Sequence, residues 1–326
     1  MIFVTGATGL LGSFICKDLL AKGHKVRAIK RATSKMTLLG DTAEQIDWIV
    51  GDMNDITTLT EALEGVTGVI HGAAIISFDK RDEARMYKTN VQGTADLVNA
   101  CLKMGVKKFV HISSVAAIGR KRDQLILEEA DRWEGTEYDS IYARSKHLQE
   151  LEVWRGGQEG LEVKIVNPSI VLGPGLWKEG STAIFDFAYS EKTFHPEGTV
   201  NYVDVRDVSE AVIRLLESDI KDERFILSAN SMDYIDFLTL LAGEFGKKPP
   251  KKPVPYGLLK VAVALEFIRS RITGKTALIT GDTAKLSRMK YHFKNDKVKK
   301  ALDFEFRPLE ETAKWSVAEL KRMHNL

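Results

Sequence analysis

The sequence predicts an α/β fold, a doubly wound parallel sheet that carries a smaller, discontinuous cap. Three observations point there. Short runs rich in Val and Ile alternate with helical patterns, a glycine-rich turn joins the first run to the first helix, and the character of the chain changes after Asn167. The runs fall at 2–5, 25–29, 47–50, 69–71, 108–112 and 163–167. Each is brief and bounded by glycine or charge, as strands buried on both faces are. Ile56, Leu59 and Leu63 recur at spacings of three and four, and Val91, Ala95, Val98, Cys101 and Leu102 do so over a longer stretch. Such spacing gives a helix one apolar face. Strands alternating with helices build a parallel sheet covered on both sides.

Beyond Asn167 the pattern breaks. Pro168, Gly173, Pro174, Gly175 and Gly180 mark an irregular stretch. A helical pattern (Val208, Ala211, Val212, Leu215) and a strand at 225–227 then return, and a different composition begins near Ser231. Lys247-Lys248-Pro249-Pro250-Lys251-Lys252-Pro253 reads as a solvated basic connector; a docking patch for an anionic substrate is the sharper alternative. Residues 254–268 form the most membrane-like stretch, but Lys260 and Glu266 interrupt it and it is too short to span a bilayer. The expectation is an amphipathic helix packed on its own protein, with an interfacial membrane contact as the lesser reading.

Composition excludes several classes. The 326 residues are 44% hydrophobic and 28% charged, which is ordinary for a globular chain. A net charge of +2 gives no reason to expect a nucleic-acid partner. Cys16 and Cys101 lie far apart in apolar helical stretches and read as reduced core residues, which fits a cytoplasmic setting. No signal peptide is seen before the first strand. His71 and His111 read as strand residues and His195 as a loop residue, and no metal site is expected.

Thr5-Gly6-Ala7-Thr8-Gly9-Leu10-Leu11-Gly12 follows a strand and opens a helix. Gly6 permits a tight turn, Gly9 lets backbone approach a pyrophosphate, and Gly12 lets the helix pack close to the strand. Thr8, Leu10 and Leu11 lie within the same loop and helix start, whose free N–H groups and positive dipole end suit phosphates. The expected ligand is a dinucleotide, and the fold is Rossmann-type. Residues 1–168 plus about 200–228 would form the dinucleotide-binding domain, and about 169–199 plus 229–326 the substrate-binding cap. At the end of the second strand a carboxylate would favour NAD. The sequence has Lys30-Arg31-Ala32-Thr33-Ser34 there, with no acid before Asp41. Arg31, with Lys30, could pair with a 2′-phosphate, so NADP is the expected cofactor and NAD the alternative.

Tyr142 and Lys146 stand four apart, on one face of a helix. A phenol titrates near 10, too high for ready proton transfer at neutral pH, and an adjacent ammonium favours the phenolate. The pair therefore reads as a general acid/base, Tyr142, tuned by Lys146. Ser113-Ser114 ends the fifth strand, where the carboxyl edge of such a sheet lines the ligand crevice.

These segments resemble the extended branch of the short-chain dehydrogenase/reductase superfamily. The resemblance runs through TGATGLLG, Gly51-Asp52, His71-Gly72-Ala73-Ala74, Asn90-Val91-Gln92-Gly93-Thr94, Ser113-Ser114, Tyr142-Ala143-Arg144-Ser145-Lys146, Asn167-Pro168-Ser169 and Tyr202-Val203-Asp204-Val205-Arg206-Asp207-Val208. The resemblance implies that Asp52, with Met53 beside it, meets the adenine and that Ala73 and Ala74 leave room for the cofactor. Aligned from Gly119 in Ser114-Val115-Ala116-Ala117-Ile118-Gly119, it implies that Ser114 is the catalytic serine and that Ser113 serves backbone or cofactor contacts. Asn90 would support the active site, or cap the helix that follows. Lys146 would hold the nicotinamide ribose, and Pro168 with its neighbours the carboxamide. Hydride transfer to a carbonyl carbon, with Tyr142 protonating the oxygen, is the implied reaction.

Within that branch, Lys30-Arg31 points to NADP(H), which suits net reduction, Ile118-Gly119 stands where many sugar-nucleotide enzymes carry Tyr-Gly, and the tail from Gly274-Lys275 through Ala301-Leu302-Asp303-Phe304 and Arg307-Pro308-Leu309-Glu310-Glu311 resembles the dihydroflavonol 4-reductase-like group. The stretch from Gly119 to Tyr138 carries no flavonoid signature. An NAD-dependent sugar-nucleotide epimerase/dehydratase, in which Arg206 would meet a diphosphate, is the alternative, and a non-catalytic NADP(H)-binding protein a third. The partner would be a small carbonyl or alcohol substrate. Members of the branch often form homodimers through a four-helix contact that includes the Tyr142 helix, and monomers also occur.

Overall fold

A computed structural model describes residues 1–120, 124–136, 139–274, 277 and 279–326. Tyr138 and Lys275, quoted above, lie outside the described residues. The main sheet holds β1 (Ile2–Thr5), β2 (Val26–Lys30), β3 (Asp47–Val50), β4 (Gly68–His71), β5 (Lys108–Ile112), β6 (Glu162–Pro168) and β7 (Glu223–Leu227). All neighbours run parallel, in the order β7-β6-β5-β4-β1-β2-β3. Each expected strand is present, displaced by no more than two residues at an end, which is where local sequence signals are weakest.

Parallel strands need crossovers, and helices supply them. Helices α1 (Leu10–Ala21) and α5 (Val205–Glu217) cover one face with Ile15, Cys16, Leu19, Val208, Val212 and Leu215. Helices α2 (Ile56–Ala62), α3 (Gly93–Met104) and α4 (Ile141–Gln158) cover the other with Leu59, Leu97, Val98, Cys101 and Val153. Each such fully buried side chain stabilises the fold by about 1.5–3 kcal/mol. Cys16 and Cys101 are free and buried, and burial pushes the Cys16 thiol up to about 12.

Because every strand is parallel, all carboxyl ends share one edge. The chain turns from β1 outward to β3 and then from β4 outward to β7, so the order reverses between β1 and β4. That switch point is where open α/β sheets bind ligands. A second sheet joins 170–172, Thr199–Asp204 and Asn230–Asp233. Its core (Phe185, Val200, Tyr202, Phe237, Leu241, Val317) is separate from the two cores of the main sheet. The strand Thr199–Asp204 thus bonds within the small sheet, while α5 directly after it packs on the large one.

Two segments differ from the sequence reading. His195 pairs in a short parallel ladder with Lys252–Pro253, so the basic connector is partly anchored. The helix Tyr256–Thr273 does form, but only Leu259 and Ser270 on it are buried. It does not pack as an amphipathic core helix.

Candidate active site

The glycine loop is built from backbone. Gly6 has φ +76°, and a Cβ there would stand 2.8 Å from the Gly72 carbonyl carbon. A Cβ on Gly12 would lie 2.1 Å from the Gly6 oxygen, so only glycine lets α1 start this close to β1. Gly9 is exposed and caps α1 without a side-chain hydrogen bond. The first helical bond runs from Ser13 N–H to Gly9 O, which leaves the N–H groups of Leu10, Leu11 and Gly12 without an intrahelical acceptor. Thr5 Oγ1 accepts from the Gly72 and Ala73 N–H groups at 3.2 Å each, tying the β1 turn to the β4 turn. The cradle fits a pyrophosphate.

At the far end, Gly51 N–H donates to Lys30 O at 3.0 Å, bringing the β2 and β3 ends together. Lys30 Nζ lies 5.5 Å from the Trp48 ring. Arg31 is exposed, and its guanidinium makes no ion pair among the described residues. Asp52 Oδ1 accepts from the Asn54 backbone and side chain at 3.0 and 2.8 Å, which holds its carboxyl below the usual range, helped by Lys88 and Arg31. Met53 is buried beside it, and Ala73 and Ala74 are half-buried at the β4 end. These groups fit a 2′-phosphate bordered by an adenine site.

Tyr142 and Lys146 lie on α4, which Ser140 caps by accepting from Ala143 N–H at 3.1 Å. Tyr142 thereby sits in the first turn, at the positive end of the helix dipole. The Ser114 hydroxyl stands close enough to the phenol to favour its ionised form, and Ser114 Oγ accepts from Ala116 N–H at 3.1 Å. Of the two serines, Ser114 faces the phenol; the buried Ser113 hydroxyl has no hydrogen-bond partner among the described residues. Phe78, from the loop after β4, places its ring centroid 5.7 Å from that of Tyr142.

The expected tuning is not what this arrangement produces. Burial pushes the Tyr142 phenol up to about 12, with Ser114 opposing. Lys146 does not lower it, because its ammonium points elsewhere: to Ile112 O at 3.0 Å and Gln149 Oε1 at 2.6 Å. Burial brings Lys146 down to about 7, and the Glu150 carboxylate opposes that shift. Asn90 is also not a helix cap. It is fully buried in a π-turn, Tyr87–Gln92, that runs into α3. Its Oδ1 accepts from Ile75 N–H at 2.7 Å, and its Nδ2 donates to Ile75 O and to Ser145 Oγ at 3.0 and 3.1 Å. The residue clamps the β4 loop onto α4 between Tyr142 and Lys146. π-Turns inside helices recur at functional sites.

A buried polar chain behind Lys146 was absent from the sequence reading. Gln149 Nε2 donates to Thr94 Oγ1 at 2.8 Å; Thr94 also bonds His71 Nε2 at 2.8 Å, and His71 Nδ1 reaches Thr5 Oγ1 at 2.7 Å. His71 stacks on His111, and burial brings His71 down to about 3, so the pair is neutral. Glu150 accepts from Asn167 Nδ2 at 2.6 Å and pairs with Arg224. Gln149 and Glu150 fall three and four residues after Lys146, a spacing that could have shown them on its face. Asn167 Nδ2 further donates to Ser114 O, and Pro168 ends β6 beside it. Arg206 is committed elsewhere: it pairs with Asp204 and Glu311 and stacks on Trp315, binding the C-terminal helix rather than facing a diphosphate.

Comparison with known proteins agrees with this geometry. The chain is 31% identical over 298 residues to a protein of Synechocystis that bears the provisional name dihydroflavonol 4-reductase, covering 89% of this chain and 86% of that one. It is 32% identical over 262 residues to the sterol demethylase protein B of Methylococcus capsulatus, covering 79% and 78%. The crystal structure of gox2253 superposes with a TM-score of 0.84 at 32% identity, over 99% of this chain and 98% of that one. The sequence model of the NAD dependent epimerase/dehydratase family matches residues 2–227. With its glycine cradle at the switch point and a Ser–Tyr–Lys face on the neighbouring strand end and helix, this chain belongs to the NAD-dependent epimerase/dehydratase family.

Proposed function

We propose that this chain is an NADP(H)-dependent oxidoreductase that reduces a ketone or aldehyde, with Tyr142 as the general acid/base. The observation that carries the reading is that Ser114, Tyr142 and Lys146 come together at the carboxyl edge of the sheet, beside the glycine cradle, with the Ser114 hydroxyl close enough to act on the phenol. The bound dinucleotide supplies the hydride. Ser114 holds the substrate oxygen, and Tyr142 gives it a proton. A phenol raised to about 12 stays protonated at neutral pH, as a donor must. The helix dipole at the first turn of α4 then favours the phenolate that remains. Lys146 assists once its ammonium leaves Gln149 and Ile112 for the ribose and phenol side. Asn90 is a positioning residue that holds the β4 loop and α4 in register.

Gly6, Thr8, Gly9, Leu10, Leu11 and Gly12 take the pyrophosphate in this reading. Lys30 and Arg31 take the 2′-phosphate, Asp52 and Met53 the adenine, and Ala73, Ala74, Lys146 and Pro168 the nicotinamide half. The exposed Arg31 guanidinium, with no acid following the β2 end in sequence before Asp41, supports NADP over NAD. The reductase name of the Synechocystis relative supports reduction as the net reaction. We keep 1–168 plus about 200–228 as the dinucleotide domain and the remainder as the substrate cap. We place the protein in the cytoplasm, with a homodimer through a four-helix contact that includes α4 as its assembly.

The test is a panel of aldehydes and ketones with NADPH and NADH in parallel. Oxidation of NADPH by at least one carbonyl, and far less of NADH, is expected. Tightly held NAD released on denaturation, without net NADPH consumption, would favour the epimerase reaction instead.

A further inference from the structure

The helix Tyr256–Thr273 presents an apolar surface that the fold leaves uncovered. Leu258, Val261, Leu265, Ile268 and Ile272 are between 44% and 80% exposed. Their spacing of three and four residues aligns them in one stripe. Leu259 and Ser270, the two buried residues, fall on the opposite side of the helix. Tyr256 and Phe267 are exposed as well, on the side of the helix that carries Leu259 and Ser270, and cations lie against both rings: Lys260 at 4.5 Å from Tyr256 and Arg271 at 5.1 Å from Phe267. A contiguous apolar patch of this kind marks an interaction site.

Charge identifies what covers it. Residues 247–290 carry eleven Lys and Arg against two acids, Glu266 and Asp282, a net +9 within a chain of +2. The rest of the chain is therefore at −7. A second copy seated on this stripe would bring two strongly basic segments together. A surface that is both apolar inside and negatively charged outside complements the segment without that cost. We propose that 247–290 docks on an anionic lipid bilayer, with the helix lying in the interfacial plane and its stripe at the acyl boundary. Among the described residues no helix is long and apolar enough to cross a membrane. The length and the one-sided apolar face suit a helix lying on the surface.

The end of the helix, through its buried side, also lies near the candidate active site. Arg81 Nη1 donates to Ser270 O at 3.2 Å, and Ala277 N–H donates to Asp79 Oδ2 at 3.4 Å. Both bonds tie the end of this helix to the loop that carries Phe78 against Tyr142.

The test is co-sedimentation of the full chain, without dinucleotide, with vesicles of phosphatidylcholine alone or mixed with phosphatidylglycerol. This readout is independent of the reductase reading. Wild type should bind the anionic vesicles about tenfold or more tightly than the neutral ones, and lose binding at high salt. Leu265→Glu/Ile268→Glu and, separately, Lys251→Glu/Lys252→Glu should each lower binding about tenfold or more. All four side chains are exposed, and far-UV circular dichroism and the thermal midpoint check that the variants fold. Equal binding to both vesicle types, no binding, or variants that bind like wild type would overturn the proposal. So would a dimer in light scattering that Leu265→Glu/Ile268→Glu dissolves, which would assign the stripe to a second copy.

Discussion

The glycine loop and the Tyr142–Lys146 face stand side by side at one sheet edge, yet they are finished to different degrees. The loop is complete in the free chain. Gly6 and Gly12 fix its backbone, and three N–H groups already point outward. The Tyr–Lys face is latched. Ser114 faces the phenol, while Gln149 and Ile112 hold the ammonium away from it. A backbone-built site has one shape and binds without rearrangement. A side-chain site in a desolvated interior must keep its charges partnered until a ligand offers better ones.

The contrast can be broken first at the loop. Gly12→Ala places a methyl 2.1 Å from the Gly6 oxygen. Overpacking of that kind costs about 1–3 kcal/mol of stability or more. Losing two charge-assisted bonds to phosphate, at about 1.5–3 kcal/mol each, should weaken NADPH and NADH alike by about a hundredfold or more. Isothermal titration reads it; unchanged affinity would mean that the cradle is not the phosphate site. Arg31→Ala should be smaller and selective. It should weaken NADPH about tenfold or more, as removal of one charge-assisted hydrogen bond does, and leave NADH unchanged. Equal loss for both cofactors would move the 2′-phosphate elsewhere.

The smallest effect sharpens the latched side. Lys146 has a folded pKa of about 7 against 10.5 for the free side chain. Between those values the unfolded chain binds a proton that the native chain does not, so stability should rise with pH from about 7 to 10.5. Tyr142 acts oppositely: its pKa is raised from 10 to about 12, so its contribution is lost as pH climbs through that window. Urea denaturation at intervals from pH 7 to 10 should show a rise in wild type that Lys146→Met flattens. Parallel curves would place the ammonium in a wetter site.

The same contrast explains what the sequence revealed. The glycine loop was legible because its constraints are local: a strand, three glycines and a helix start within a few residues of one another. Tyr142 and Lys146 were legible as an i, i+4 pair. Their state was not, because it depends on contacts that span the chain. Gln149 reaches Thr94 and His71 across 55 and 78 residues, and Asn90 reaches Ser145 across 55. No periodicity encodes such pairings. The helix at 256–273 failed for a related reason: its composition showed an apolar stretch expected to pack on its own protein, but not that, among the described residues, only Leu259 and Ser270 on it would be buried.

Tyr142→Phe tests the central claim most directly, with turnover and NADPH affinity measured on the same preparation. Removing a general acid should lower kcat by about 10²–10⁴ while leaving NADPH binding intact, since the hydroxyl is all that is lost. A variant that reduces the carbonyl substrate at the wild-type rate would contradict Tyr142 as the proton donor.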